Sequence, residues 1–239
     1  MEQPIEGGED NRILRFLPPS EAEAIRSASS PVELQAGQSL YRVGGPLSAV
    51  YFPRECVVSV TVELEDGRTI ESATIGREGF SGLTLLLGAE TSHHQVICQV
   101  AGAALRLPAA AAIAVLERTP VFASLLGPYA ESLMATMSQS VACLALHPVH
   151  ERCARWLLAT ADRTGSGQFR LTHEFLAIML GVHRPTVSLA ASMLQKAGLI
   201  EYRRGKVTVL RRAELEAASC ECYGVVKGLH NDFLDAAAS

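Results

Sequence analysis

The stretch 171–210, LTHEFLAIMLGVHRPTVSLAASMLQKAGLIEYRRGKVTVL, restricts the fold of this chain more than any other. Thr172 can cap a helix over 173–180 whose Phe175, Leu176 and Met179 face inward. Gly181 then turns the chain. Pro185 suits the first turn of a second helix from Arg184, because amides there have no intrahelical acceptor. That helix buries Val187, Ala190, Met193 and Leu194 and stops at Ala197-Gly198. Counted from His173, the small Ala177 is fifth, Gly181 ninth, Val187 fifteenth and Ala190 eighteenth, a spacing that resembles the helix-turn-helix consensus. Two β runs, 199–202 and 206–210, joined by Arg203-Arg204-Gly205, make a wing. The pattern predicts a module that lays its second helix in a groove of double-stranded DNA.

Charge agrees with that reading once it is divided along the chain. The formal net charge of −4 argues against a nucleic-acid partner when taken alone. Residues 1–147 carry 9 Lys/Arg against 16 Asp/Glu, whereas 170–212 carry 8 against 2. Positive charge is concentrated where the DNA-binding pattern sits. The candidate contacts are Thr172, His173, His183, Arg184, Thr186 and Ser188 around the two helices, and Arg203, Arg204 and Lys206 in the wing. Arg184 can grip a guanine with two hydrogen bonds, and the wing cations suit phosphates.

The rest of the chain changes period twice. Residues 1–12 are polar and acidic and read as a frayed arm. Residues 13–28 look helical, with Ser20 and Glu23 placed for a capping box. From 32 to 107, short apolar runs broken by Gly and Pro predict an antiparallel β-roll. Val58, Val60, Val62 and Leu64 alternate with polar residues as in a half-buried strand, and Asp66-Gly67 supplies a hairpin turn. From 121 to 146, apolar residues recur every three or four positions, with Gly127-Pro128 marking a kink or a start. This stripe reads as a subunit-pairing helix, the alternative being a core helix lying on the β-roll. A single recognition helix covers few base pairs, and a paired one reads a dyad site. The fold class is therefore α+β, with a jelly-roll or cupin-like β-roll, a long dimerisation helix and a winged helix-turn-helix. Its segments are 1–30 (arm and helix), 31–118 (β-roll sensor), 119–147 (dimerisation helix) and 148–239 (DNA-binding domain).

This order resembles the Crp/Fnr family of bacterial transcription regulators. The resemblance covers nearly the whole length and is most specific in 171–209 and in GREGF, residues 76–80. It implies a homodimer on a near-palindromic promoter site, in contact with RNA polymerase. Departures from the family narrow the signal. Its cyclic-nucleotide-binding members follow a Gly-Glu loop with a phosphate-neutralising arginine, yet no Lys or Arg lies between Arg77 and Arg106. A phosphate buried there would lack its charge partner. Its iron-sulfur members use an N-terminal run of cysteines, whereas the first cysteine here is Cys56. In the second helix the family's glutamate and later arginine are replaced by Pro185 and Leu189.

Other chemistry is sparse. The 6 cysteines show no scaffold spacing. Cys220 and Cys222 are a candidate thiol redox pair; as alternate residues of a helix they would not share a face, so no metal site is assigned. His93-His94 supports a cupin-like metalloenzyme with a helical appendage only as a remote alternative. No nucleophile-base constellation or phosphate loop is present, so neither catalysis nor a cofactor is expected. No apolar run is long enough for a membrane span, and the N-terminus shows no basic start followed by an apolar stretch as a secretion signal would, which predicts a cytoplasmic protein.

Overall fold

The computed structural model describes residues 11–237, so residues 1–10 of the expected arm lie outside it. The arm's last two residues are anchored rather than frayed. Asn11 is fully buried, donates to the Pro53 and Gly79 carbonyls at 2.9 and 2.8 Å, and accepts the Ile13 amide. It thereby caps α1 (Arg12–Phe16). The capping box expected at Ser20 is absent, because α2 (Pro19–Ser27) starts two residues earlier than that cap would place it, on a proline. Its buried Glu21 instead accepts the Val121 and Phe122 amides at 3.1 and 2.9 Å. That carboxylate caps the longest helix of the protein.

Seven strands build the β-roll as two antiparallel sheets. One sheet holds β1 (Ser30–Leu34), β7 (Gly102–Pro108) and β3 (Ala49–Pro53) in that order. The other runs β2 (Ser39–Tyr41), β6 (Gln95–Val100), β4 (Val57–Glu63) and β5 (Thr69–Ile75). β4 corrects the expectation of a half-buried strand. Val57 to Thr61 are buried on both faces, whereas Val62 and Leu64 are 40 and 49% exposed near the hairpin. The second face is covered by a helix from the C-terminal half, so its polar residues bond inward instead of facing water.

A short α3 (Leu83–Leu86) and α4 (Ala109–Leu116) lead to α5 (Pro120–Leu146), which runs unbroken through Pro128. No helix start occurs at Gly127-Pro128; the start is at Pro120, under the Glu21 cap. The apolar stripe of α5 divides between two surroundings. Phe122, Leu126 and Tyr129 are buried in the β-roll core, while Val141 is 68% exposed. Tyr129 stacks on Phe80 with centroids 4.5 Å apart, and its hydroxyl accepts the Phe80 amide at 2.9 Å and donates to the Phe80 carbonyl at 2.7 Å. A Cβ at Gly79 would come within 2.4 Å of that hydroxyl, so the GREGF motif serves this contact. Tyr129→Phe is expected to cost about 2–4 kcal/mol in denaturant unfolding, since both buried backbone groups lose their partner. A loss below about 0.5 kcal/mol would show that water replaces the hydroxyl.

His147 and Pro148 separate α5 from α6 (Val149–Thr164). β8 (Gln168–Arg170), α7 (His173–Leu180), α8 (Arg184–Lys196), β9 (Ile200–Arg203), β10 (Lys206–Val209) and α9 (Arg212–Ala217) complete the second half. A last helix, α10 (Cys222–Ala237), returns to α5, with Phe233 at 5.3 Å from Tyr129. Its Tyr223, Val226, Phe233 and Leu234 are buried at helical spacing. Among the described residues, no single helix is long and apolar enough to cross a membrane.

Candidate nucleic-acid interface

The two helices of the reading module form as their caps dictate. The Thr172 hydroxyl accepts the Phe175 amide at 3.1 Å, and α7 ends on Gly181 in the left-handed region at φ 63°. A Cβ at Gly181 would also meet Ile70 Cδ1 of β5 at 2.6 Å, so the turn between the helices abuts the β-roll. Leu176, Ala177, Met179, Val187, Ala190 and Leu194 are buried in a core shared with Trp156 and Leu157 of α6. Phe175 is half-buried against it. Met193, expected in that core, is 48% exposed, and Ala191 is buried instead. The buried face of the helix is thus turned slightly from the expected one.

The candidate contacts separate into two groups. His183, Arg184 and Thr186 are exposed at the start of α8, and Arg203, Arg204 and Lys206 at the wing. Thr172, His173 and Ser188 are engaged inside the module. His173 Nδ1 lies 3.0 Å from Ser188 Oγ, and its ring packs on Tyr202 with centroids 4.3 Å apart. Burial and then the nearby Arg184 charge lower the His173 pKa, which keeps this ring neutral. These residues fasten α7, α8 and the wing to one another. Arg184 is held only by an exposed contact of 3.8 Å from its Nε to Glu174, too weak to tie it down.

The wing contains a strand that the sequence pattern did not reveal. β8 pairs with β10, giving the order β8-β10-β9, and the register sets Arg170 beside Lys206 and Lys206 beside Arg203. Arg204 holds the hairpin tip at a positive φ of 48°. Like charges side by side repel, and the exposed 3.5 Å contact of Arg203 with Glu201 offsets this only in part, so the row gains when an anion lies across it. A DNA backbone supplies that anion.

The reading module is docked on the β-roll through buried polar contacts. Ser59 Oγ and Trp156 Nε1 lie 2.7 and 3.1 Å from the two oxygens of the buried Glu71. Glu78 pairs with Arg163 of α6 at 2.9 Å and accepts the Gly76 amide. The residue of the Gly-Glu loop is therefore committed to the domain joint. A cavity of about 410 Å³ lies beside it between β5, α6 and α10, with Arg77, Arg155, Arg163 and Lys227 among its lining.

The remaining site candidates fall elsewhere. His93 and His94 are exposed before β6 and belong to no converging ligand group among the described residues. Cys220 lies in the link between α9 and α10, and Cys222 is the first residue of α10, so the helical-face objection to their pairing does not hold. They meet Cys143 and His147 from the end of α5. A hydrogen bond from Cys220 holds the Cys143 thiol below its ordinary value. A Cys-x3-His step at the end of the long helix was the available signal for this meeting.

Residues 31–119 match the cyclic nucleotide-binding domain and residues 151–218 the Crp-like helix-turn-helix domain. The chain resembles the c-di-GMP-responsive global regulator CLP of Xanthomonas campestris, at 18% identity and a TM-score of 0.64 over 80% of this chain and 99% of that one. It is equally similar to FixK2 of Bradyrhizobium japonicum, at 18% identity and a TM-score of 0.66 over 80% and 98%. None of the curated proteins matches the chain by sequence. A β-roll of the cyclic nucleotide-binding type, a long helix and a winged helix-turn-helix define a DNA-binding transcription regulator. The chain belongs to the Crp/Fnr family.

Proposed function

We propose that the protein binds a near-palindromic promoter site as a homodimer, each copy laying α8 in the major groove with its wing on the flanking backbone. The observation that carries this reading is the exposed start of α8, with Arg184 loosely held, beside the row of Arg170, Lys206 and Arg203. Pairing through α5 is supported by Met134 and Val141, which lie two turns apart and are 66 and 68% exposed. Genome-wide mapping of bound DNA should return an inverted repeat with half-site centres about 34–36 Å apart or a multiple of that. Binding without base preference would overturn the proposal. Val141→Glu is expected to yield monomers in sedimentation and to weaken operator binding; a fully dimeric variant would move the interface off this face.

The β-roll does not take a cyclic nucleotide in this reading. Glu78 is spent on Arg163, and the interior is filled by the contacting rings of Phe52, Phe80, Phe122 and Tyr129. No thermal shift with cyclic AMP or cyclic GMP is the expected result, and saturable binding of either would refute it. The regulator acts from the cytoplasm by contact with RNA polymerase, and a change in transcript yield from a promoter bearing the mapped site, in a purified system, tests this.

A further inference from the structure

We propose that Cys143, His147, Cys220 and Cys222 form a closed site for one tetrahedral divalent ion, of which zinc is the best fit. The ligands come from two places 77 residues apart in sequence. Cys143 stands in the last turn of α5, and His147 caps that helix, its amide bonding back to the Cys143 carbonyl at 3.1 Å. The link before α10 supplies Cys220, and the first residue of α10 supplies Cys222. The three cysteines are buried and form a small cluster separate from both hydrophobic cores.

The spacing decides between three chemistries. The four ligand atoms all lie within 4.8 Å of one another, with Cys143 Sγ 3.6 Å from Cys220 Sγ and Cys222 Sγ 3.5 Å from His147 Nδ1. Zinc–sulfur bonds of about 2.3 Å and a zinc–nitrogen bond of about 2.0–2.1 Å give tetrahedral edges of about 3.8 and 3.5 Å. The Cys143–Cys220 and Cys222–His147 separations match those edges, and the remaining pairs lie within 4.8 Å, close enough for small side-chain shifts to close on one ion. They exceed the roughly 2.05 Å of a disulfide. An iron-sulfur cluster distributes its ligands over two or more iron atoms and so holds them farther apart than this.

The surroundings complete the site. Glu221 approaches the other ring nitrogen of His147, with Oε2 3.1 Å from Nε2, which orients Nδ1 toward the sulfurs. Gln139 Nε2 donates to Cys222 Sγ at 3.0 Å, a bond that favours the thiolate. Four protein ligands leave no open position, so the ion is structural rather than catalytic. Binding sends the thiol protons to solvent and ties α10 to the end of α5, beside the hinge at His147-Pro148.

The test uses full-length protein, reduced and stripped with a chelator, then titrated with cobalt(II) and zinc(II) while thiols are counted. One equivalent of cobalt per chain should give thiolate charge-transfer absorption, one equivalent of zinc should bleach it, and three thiols should be protected. Cys220→Ser and His147→Ala should abolish the cobalt signal, and Glu221→Gln should weaken binding about 10- to 100-fold. Cys98→Ser, in the β-roll core, should leave it intact. Because the wild-type titration stands alone, a variant that does not fold leaves the test decisive. Folded wild type that binds neither ion stoichiometrically overturns the proposal. So does an oxidant that joins Cys143 to Cys220 equally fast with and without zinc, which would mark a thiol redox pair.

Discussion

Arg184→Ala is expected to lower affinity for the mapped site by roughly 1–3 kcal/mol, about five- to 150-fold, and to leave binding to random DNA nearly unchanged. Arg184 is the first residue of α8, and both it and its long-range partner Glu174 are largely exposed. Its fork is free to leave the carboxylate for the O6 and N7 acceptors of a guanine, where two bonds form at once. Few other groups on this helix can read bases. Pro185 offers no donor, and Ser188 is spent on His173. Leu189 and Met193, 64 and 48% exposed, can read only apolar edges such as a thymine methyl. Loss of Arg184 should therefore remove most polar discrimination at its half-site. The contrast is with the wing, where Lys206→Ala and Arg170→Ala should weaken all sequences alike and each reduce the salt slope by about one. Anisotropy titrations of specific and scrambled duplexes over a range of salt separate the two. An equal loss on both duplexes for Arg184→Ala would assign it to phosphate instead.

The reading module was legible because its determinants are local. A cap at Thr172, a turn at Gly181 and an N-terminal proline in α8 specify their elements within a few residues, and each is where the pattern put it. What required the structure was pairing at long range. The apolar alternation of β4 told nothing of α6 covering its second face, and Ser59 gave no sign of bonding to Glu71 and Gln99. β8 was missed because three residues carry too little periodicity. Arg170 consequently entered the charge tally without being placed in the basic row. The stripe of α5 was visible, but one period cannot show that its first half faces the β-roll core and that Val141 faces solvent. Cys220 and Cys222 were noticed as a pair, whereas Cys143 and His147 join them only because α10 folds back along α5.

Glu71→Gln is expected to remove a pH dependence of stability that belongs to the joint between the β-roll and the helix-turn-helix domain. Glu71 is buried, and desolvation pushes its carboxyl from 4.5 up to about 7 despite the hydrogen bond from Ser59 and the charges of Arg155 and Arg163. The hydrogen bonds agree with a neutral acid. The Ser59 hydroxyl has one proton but lies 2.7 Å from Glu71 Oε2 and 2.5 Å from Gln99 Oε1. A protonated Glu71 donates to Ser59, which then donates to Gln99, while Trp156 Nε1 donates to the other Glu71 oxygen. Because the folded-state pKa is raised, the native form binds more protons than the unfolded chain between pH 4.5 and 7. The contribution is complete below pH 4.5 and is lost as pH rises through about 7, a difference of about 3 kcal/mol at most. Denaturant midpoints measured from pH 5 to 8 should fall with pH in the wild type. Glu71→Gln should flatten this component and be relatively more stable at pH 8. If both proteins show the same slope, the carboxylate is ionised throughout and is held by Arg155 and Arg163. In that case the joint is an ion-pair network, and the α6 contact on β4 and β5 does not loosen with rising pH.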